Sequence, residues 1–163
     1  MARRSMEMAA EASAPTATDR EIVVTRIIEG PRKIVFDAFT DVDKLGKWWG
    51  PNKADITTHA FEFRPGGVWD ATIKGPQGEF PNYVVWSEIV PPERIVWMYY
   101  GMGKDDPNPV KTIVTLAERG ATTEATLRLV FGSKEQREQA EKYHAVEGAR
   151  GSLARLAAAV AGR

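Results

Sequence analysis

The feature that most constrains the fold of this chain is the order in which its strands and helices are predicted. One strand opens the domain, and two short helices follow it, ending in the sequence LGKWWGP at residues 45–51. A long series of strands with tight turns comes next, and one Ala- and Leu-rich helix closes the chain. This order predicts an α+β domain whose antiparallel sheet buries one face against the closing helix. If the sheet curves, the space between sheet and helix becomes a pocket.

Seven segments have the pattern of β-strands, in which β-branched and aromatic residues recur at alternate positions. They span residues 21–28, 56–63, 68–73, 83–90, 94–100, 110–117 and 123–131. Turns rich in Gly and Pro separate several of them, for example at residues 64–67, where Pro and Gly occupy the positions that a type II turn requires. We therefore predict a curved antiparallel sheet of about six to seven strands.

Capping residues indicate where the helices begin. Pro31 suits the first position of a short helix over residues 31–39. Asp41 can cap a second short helix that ends near Trp48. The long C-terminal helix is predicted to begin at Ser133, where the sequence SKEQ fits a capping box.

The charge balance and the absence of cysteine exclude several classes of function. The 163 residues include 22 Lys and Arg and 22 Asp and Glu, so the basic excess that nucleic-acid binders usually carry is missing. Without cysteine the chain cannot form disulfides, thiolate metal sites or a cysteine nucleophile. No apolar run approaches the roughly 20 residues that span a bilayer. We expect a cytoplasmic protein with no nucleic-acid partner and no membrane insertion.

A change in composition near residue 18 marks the expected domain boundary. Residues 1–18 are rich in Ala, Ser and Thr and offer little apolar surface to bury, which predicts a flexible N-terminal tail. A short helix over residues 6–12 is the alternative. Residues 19–163 are expected to form a single domain.

Several short motifs, taken in order, resemble those of the SRPBCC superfamily. They are the segment at 30–41, which continues to KWWGP at 47–51, the turns at 64–67 and 91–94, and the helical sequence VEGA at 146–149. The branch that looks closest is similar to the C-terminal domain of the activator of the ninety-kilodalton heat-shock-protein ATPase. The resemblance covers roughly residues 20 to 161.

This resemblance implies a START-like, helix-grip fold, in which a curved sheet wraps around a long C-terminal helix. It also implies a cavity that often holds an apolar small molecule, and a homodimer, since members of the superfamily often dimerise. Such members include carriers, cyclases, receptors and a co-chaperone domain, so the fold does not settle the function. The leading interpretation is binding of a hydrophobic or aromatic small molecule without a cofactor. A cyclase- or hydratase-like enzyme using the same cavity and a co-chaperone-like interaction domain are the alternatives.

Aromatic residues of the strands and of the opening motif, with one glycine of the closing helix, are the candidate ligand-binding residues. The set comprises Trp48, Trp49, Phe61, Phe63, Trp69, Trp97, Tyr99 and Gly148. A fully packed core and the walls of a pocket explain the aromatic residues of the strands equally well. Alternation along the strands predicts that Glu62, Asp70, Trp86 and Glu88 lie on the opposite face.

The closing helix leaves further alternatives open. Gly148 and Gly151 can allow close approach to the sheet, leave room for a ligand or hinge, or mark a break between two helices near residues 143–148. His144 and Glu147 have the spacing of half a carboxylate metal site, but a solvated helix face explains them more simply. We predict no metal site, and the sequence identifies no catalytic residue.

Overall fold

Seven strands and four helices form the part of the chain that the computed structural model describes, which is residues 19–51 and 54–163. The predicted tail, residues 1–18, lies outside these described residues. The strands are β1 (Glu21–Ile28), β2 (Asp55–Phe61), β3 (Val68–Gly75), β4 (Gly78–Val90), β5 (Arg94–Tyr100), β6 (Val110–Arg119) and β7 (Thr122–Val130).

The strands form one antiparallel sheet in the order β1-β7-β6-β5-β4-β3-β2. Strands β2 to β7 pair with their neighbours in sequence, and β1 closes the arrangement by pairing with β7, where Glu21 lies opposite Val130 and Ile28 opposite Thr123. Together with the long C-terminal helix, this confirms the predicted α+β, helix-grip fold and its curved antiparallel sheet.

The helices are α1 (Arg32–Asp37), α2 (Val42–Leu45), α3 (Lys134–Lys142) and α4 (Ala145–Ala161). Pro31 stands immediately before α1, and the Asp41 carboxylate caps α2 by accepting the backbone N–H of Lys44 at 2.9 Å. Both short helices therefore begin where the capping residues predict.

The closing helix is interrupted, so the prediction of one continuous helix from Ser133 is corrected to α3 followed by α4. Ser133 does cap α3, accepting the Gln136 backbone N–H at 3.1 Å. The break lies at His144, whose φ of 66° is in the left-handed region, which a continuing helix cannot contain. None of the described residues of α3 is buried, whereas α4 buries the stripe Ala149, Leu153, Leu156 and Val160. The break thus separates a polar helix from an amphipathic one.

A β-bulge in β4 corrects the predicted face of Trp86. Trp86 lies opposite Trp97 and is fully buried on the inner face, while Glu88 lies opposite Val96 and is exposed on the outer face. Ser87 is the extra residue between them. Alternation fails at a bulge because one residue is left without a partner, so two residues with an even spacing reach opposite faces.

Helix α4 covers the inner face of the sheet unevenly. Its backbone lies closest to β1 and approaches β7 less, while α1 packs against β6 and β7. The buried stripe of α4 therefore joins a core that is tight beside β1. Over the middle strands the helix and the sheet separate.

Candidate functional site

A cavity of about 340 Å³ lies between α4 and strands β5 to β7. The sheet contributes alternate inner-face residues of the three strands, and α4 contributes the side that carries its buried stripe. Helix α3 adds Ala140, and the segment after α2 adds Trp48, Trp49 and Gly50. Phe39, which follows α1, completes the lining, so the site is assembled from parts of the chain that are far apart in sequence.

Six aromatic rings line this cavity. They belong to Phe39, Trp48, Trp49, Trp97, Tyr99 and Phe131. The Trp49 ring lies 5.5 Å from that of Trp48 and 5.4 Å from that of Trp97, measured between centroids. The Phe39 ring lies 4.8 Å from Trp48, edge to face. These contacts join most of the rings into one continuous surface, which we call the aromatic wall.

Hydrogen bonds fix two tryptophans of the aromatic wall. The indole N–H of Trp48 donates to the Ala38 carbonyl at 3.1 Å, and that of Trp49 donates to the Asn82 side-chain oxygen at 2.9 Å. Asn82 is fully buried, and its amide nitrogen has no hydrogen-bond partner among the described residues. Because both indole N–H groups are occupied, these rings offer mainly their apolar surface to a ligand.

The opposite walls are aliphatic and small. Val110, Val114, Leu127 and Leu129 line the cavity from β6 and β7, and Ala145, Ala149, Ser152, Leu153 and Leu156 line it from α4. Small residues on the side of a helix that faces a sheet leave space wherever the sheet does not send a large side chain across. The cavity follows from this pairing of α4 with the middle strands.

Three hydroxyl groups are the main polar atoms of the lining. Thr112, only 4% exposed, donates to the Val110 carbonyl at a long 3.5 Å, and Ser152 accepts from Arg155 at 3.4 Å. Tyr99 pairs with Val110 and Trp97 with Thr112, so Tyr99 and Thr112 are diagonal neighbours on one face, about 7–8 Å apart. None of the described residues that line the cavity is Asp, Glu, His, Lys or Arg.

The phenol of Tyr99 is held in its neutral form. Burial raises the pKa of Tyr99 above its usual value of 10.0, and the negative charge of the Asp106 carboxylate raises it further. Asp106 is fixed in the loop after β5, where its carboxylate accepts the backbone N–H groups of Met102 at 3.1 Å and Asn108 at 2.8 Å. Tyr99 therefore remains a hydrogen-bond donor at neutral pH.

Arg155 of α4 forms a hydrogen bond with the backbone of Trp48 and so helps to fix the aromatic wall. Its Nε donates to the Trp48 carbonyl at 3.1 Å, which ties α4 to the turn after α2. Partial burial lowers the pKa of Arg155. The guanidinium lines a smaller hollow beside Trp48 and Trp49 rather than the main cavity.

Residues 29–161 match the model of the family described as Activator of Hsp90 ATPase homolog 1-like protein. The chain belongs to this family. A search of curated proteins finds no significant match.

Solved structures similar to this member of the Activator of Hsp90 ATPase homolog 1-like family share its fold. Protein NE0264 from Nitrosomonas europaea matches with a TM-score of 0.80 at 20% identity, covering 90% of this chain and 97% of its own. A protein from Arthrobacter aurescens gives 0.79 at 21% identity, with coverages of 89% and 88%. Protein Mll3558 from Rhizobium loti gives 0.66 at 27% identity, with coverages of 85% and 95%.

In this family member the structure brings together four of the eight candidate ligand-binding residues. Trp48, Trp49, Trp97 and Tyr99 line the cavity. The other aromatic candidates, Phe61, Phe63 and Trp69, share the inner face but lie outside the lining. The Phe63 ring lies 4.9 Å from that of Trp86 and 6.2 Å from that of Phe36 on α1. These rings form a filled aromatic cluster rather than part of the cavity.

Gly148 is exposed on α4 and is not among the described residues that line the cavity. A Cβ atom built on it would meet no atom of the sheet or of another side chain within 4 Å among the described residues. Close approach to the sheet therefore does not require a glycine at this position. The break between α3 and α4 falls at His144, within residues 143–148, where a break between two helices was one of the three alternatives.

Several lining residues were missed in the sequence. Thr112 and Ser152 line the cavity, and Asn82 accepts the Trp49 indole N–H behind it. All three are polar residues within otherwise ordinary strand and helix patterns, so no local signal distinguishes them. Phe131 follows the last strand and could have been included as an inner-face aromatic residue by alternation from Leu127 and Leu129.

The remaining features of the described residues concern metals and membranes. The distance between His144 Nδ1 and Glu147 Oε1 is 3.9 Å, and both side chains are largely exposed. Within residues 19–51 and 54–163, no three His, Asp or Glu side chains gather in a way that could hold a metal ion. No helix in the described part of the chain is long and apolar enough to cross a membrane.

Proposed function

We propose that this protein binds a hydrophobic or aromatic small molecule in the cavity between the sheet and α4. The observation that carries the proposal is the cavity itself, with its aromatic wall, its aliphatic walls and its three hydroxyl groups. Small-molecule sites are usually concave and mostly apolar, with a few polar groups that fix orientation. This cavity has that composition and lies at the low end of the usual size range.

The volume of the cavity indicates the size of the part of the ligand that it can enclose. At the packing density of a protein interior, about 0.74, a cavity of about 340 Å³ accepts roughly 250 Å³ of ligand. An apolar cavity of about 150 Å³ can hold benzene. A molecule with about two fused or linked rings is therefore the expected size class.

Binding is favoured over catalysis by the chemistry of the lining. A cyclase- or hydratase-like reaction needs a general acid or base within hydrogen-bond reach of the substrate, usually with a pKa near neutrality. The described lining offers hydroxyl groups, and the raised pKa of Tyr99 makes it a poor base at neutral pH. The co-chaperone-like alternative rests on the family description alone, which names a homolog of an ATPase activator.

A neutral fluorescent probe tests the proposal. N-phenyl-1-naphthylamine should bind with one-to-one stoichiometry and increase its emission when it leaves water. The substitution Ala149→Phe places a ring in the cavity from α4 and should weaken binding by about tenfold or more, equivalent to 1.4 kcal/mol. Ala158→Phe adds the same ring on the exposed side of α4 and serves as the matched control.

Thermal unfolding of both variants shows whether they are folded. Leu129→Phe, which fills the cavity from β7, provides a second variant if Ala149→Phe does not fold. Absence of probe binding to the wild-type protein, or equal binding to the cavity-filled and control variants, would contradict the proposal.

We further propose the remaining expectations for the whole chain. Residues 19–163 are expected to act as one folding domain in the cytoplasm, with residues 1–18 adding little to its stability. A homodimer is expected in solution. Light scattering at tens of micromolar protein should give twice the chain mass of 18.1 kDa, and a mass of one chain would exclude the dimer.

A further inference from the structure

We infer that the ligand is an organic cation, with an aromatic or apolar body in the cavity and an ammonium group at the Tyr99 end. This inference rests on the proposed function and specifies the charge of the molecule. Three features of the site carry it: the aromatic wall, the absence of cationic side chains from the described lining, and the fixed carboxylate of Asp106.

The aromatic wall offers the kind of surface that attracts cations. The face of an aromatic ring carries partial negative charge, and tryptophan attracts cations most strongly of the aromatic side chains. Three of the six rings are tryptophans. The planes of Trp48 and Trp49 are tilted by 58°, and those of Trp49 and Trp97 by 43°. None of the contacts among the lining rings is a parallel stack.

The charges around the cavity favour a cation over an anion. No charged side chain occurs among the described lining residues, so a buried anion would gain no partner from the lining, whereas a cation would gain the aromatic rings. Asp106 interacts electrostatically with the Tyr99 phenol, and two backbone N–H groups hold its carboxylate in place. A negative charge therefore stands beside one end of the aromatic wall.

Arg155 determines which end of the cavity receives the positive charge. Its guanidinium is bonded to the Trp48 carbonyl and to Ser152, so it would repel an ammonium group placed near Ser152. Asp106 acts on Tyr99, which lies on β5. The ammonium group is therefore expected beside Tyr99, and the apolar body beside the leucines of β7 and α4.

An isosteric pair of ligands isolates the effect of charge. The cation 2-naphthyltrimethylammonium and the neutral 2-tert-butylnaphthalene have the same shape, and 2-naphthoate supplies the anion. Titration calorimetry, together with the NMR shifts of the indole N–H groups, measures binding of each to the full-length protein. We expect the cation to bind about tenfold more tightly than its neutral isostere and the anion to bind more weakly than either.

A pair of variants tests the role of Asp106. Asp106→Asn keeps one acceptor oxygen for the loop and should weaken binding of the cation about three- to tenfold, while the neutral isostere changes less than twofold. Asp105→Asn removes the same charge from the exposed neighbouring residue, for which no contact is seen, and should have a smaller effect. Trp49→Leu should reduce the preference for the cation over its isostere.

The outcomes separate this inference from the proposed function. If the isostere binds as tightly as the cation, or if naphthoate binds most tightly, the inference is wrong while the cavity remains a ligand site. If Asp106→Asn and Asp105→Asn weaken the cation equally, Asp106 has no specific role and the inference is wrong in that respect. If neither the cation, the isostere nor N-phenyl-1-naphthylamine binds, the proposed function itself fails.

Discussion

The inner face of the sheet has two halves that use similar side chains with different results. Over β2 to β4 the rings of Phe61, Phe63, Trp69 and Trp86 contact one another, and the Phe63 ring also meets that of Phe36 on α1. Over β5 to β7 the aromatic wall faces aliphatic residues across a cavity of about 340 Å³. We call these regions the filled half and the open half.

The difference arises from what covers each half. In the filled half the rings meet mostly edge to face, the arrangement that aromatic pairs prefer, and each ring occupies the space beside the next. In the open half the cover is α4, which lies closest to β1 and presents Ala145, Ala149 and Ser152 to the cavity. Large residues opposite large residues fill an interior, whereas large residues opposite small ones on a distant helix leave space.

The largest expected difference between the halves is in the cost of removing a ring. Trp69 is fully buried and donates its indole N–H to Thr58 at 3.1 Å, so Trp69→Ala should reduce the free energy of unfolding by about 3–5 kcal/mol. Tyr99→Ala, at the partly exposed edge of the cavity, should cost about 1–2 kcal/mol. Chemical denaturation measures both. Equal losses would show that the cavity contributes as a solid core.

Adding volume should also cost more stability in the filled half than in the open half. Ala71 is 2% exposed in the filled half, and Ala71→Leu should cost about 1–3 kcal/mol because the surrounding rings cannot move aside. Ala149→Leu adds the same atoms to the open half and should change stability by less than about 1 kcal/mol, while reducing probe affinity. If both substitutions destabilise the protein equally, the cavity is not available for an added side chain.

The alkaline stability of the protein should depend on Tyr99. Since the folded state raises the pKa of this phenol, its contribution is fully present below pH 10.0 and is lost as pH rises through the raised value. Denaturation midpoints measured from pH 9 to 12 should therefore fall less steeply in Tyr99→Phe than in the wild type. Identical slopes would mean that Tyr99 titrates as it does in the unfolded chain.

The smallest expected effect is at Gly148, which belongs to neither half. A Cβ atom there meets nothing within 4 Å, so Gly148→Ala should stabilise α4 by about 0.5–1 kcal/mol through helix propensity. Probe affinity should stay unchanged. A loss of binding in this variant would restore Gly148 to the ligand site.

The sequence predicts on which face of the sheet most side chains lie, but it does not predict how far α4 stands from that face. Alternation correctly places Trp69, Trp97 and Tyr99 on one face, because the sheet is regular at these positions. It cannot show that Trp69 contacts other rings while Tyr99 borders a cavity, since this depends on the distance between α4 and each strand. The helix caps at Asp41 and Ser133 are local contacts, and both are predicted correctly.

Two errors have local causes that the residue types do not reveal. Ser87 forms a bulge without a glycine or proline to indicate it, so alternation along β4 predicts the wrong face for Trp86. His144 takes a left-handed conformation that is more common for glycine or asparagine, so the end of α3 carries no recognisable signal.

The bulge at Ser87 also affects how β4 would tolerate the loss of a residue. Deleting one residue from a regular strand moves every later side chain to the other face. Deleting Ser87 would leave the later side chains on their present faces. Trp86, Glu88 and Ile89 already lie on the inner, outer and inner faces of the sheet, in that order. The strand would become regular with each of these side chains on its present face. Strand β4 thus contains one residue, Ser87, that the alternation of its side chains does not need. Removing it would change the bend of the strand.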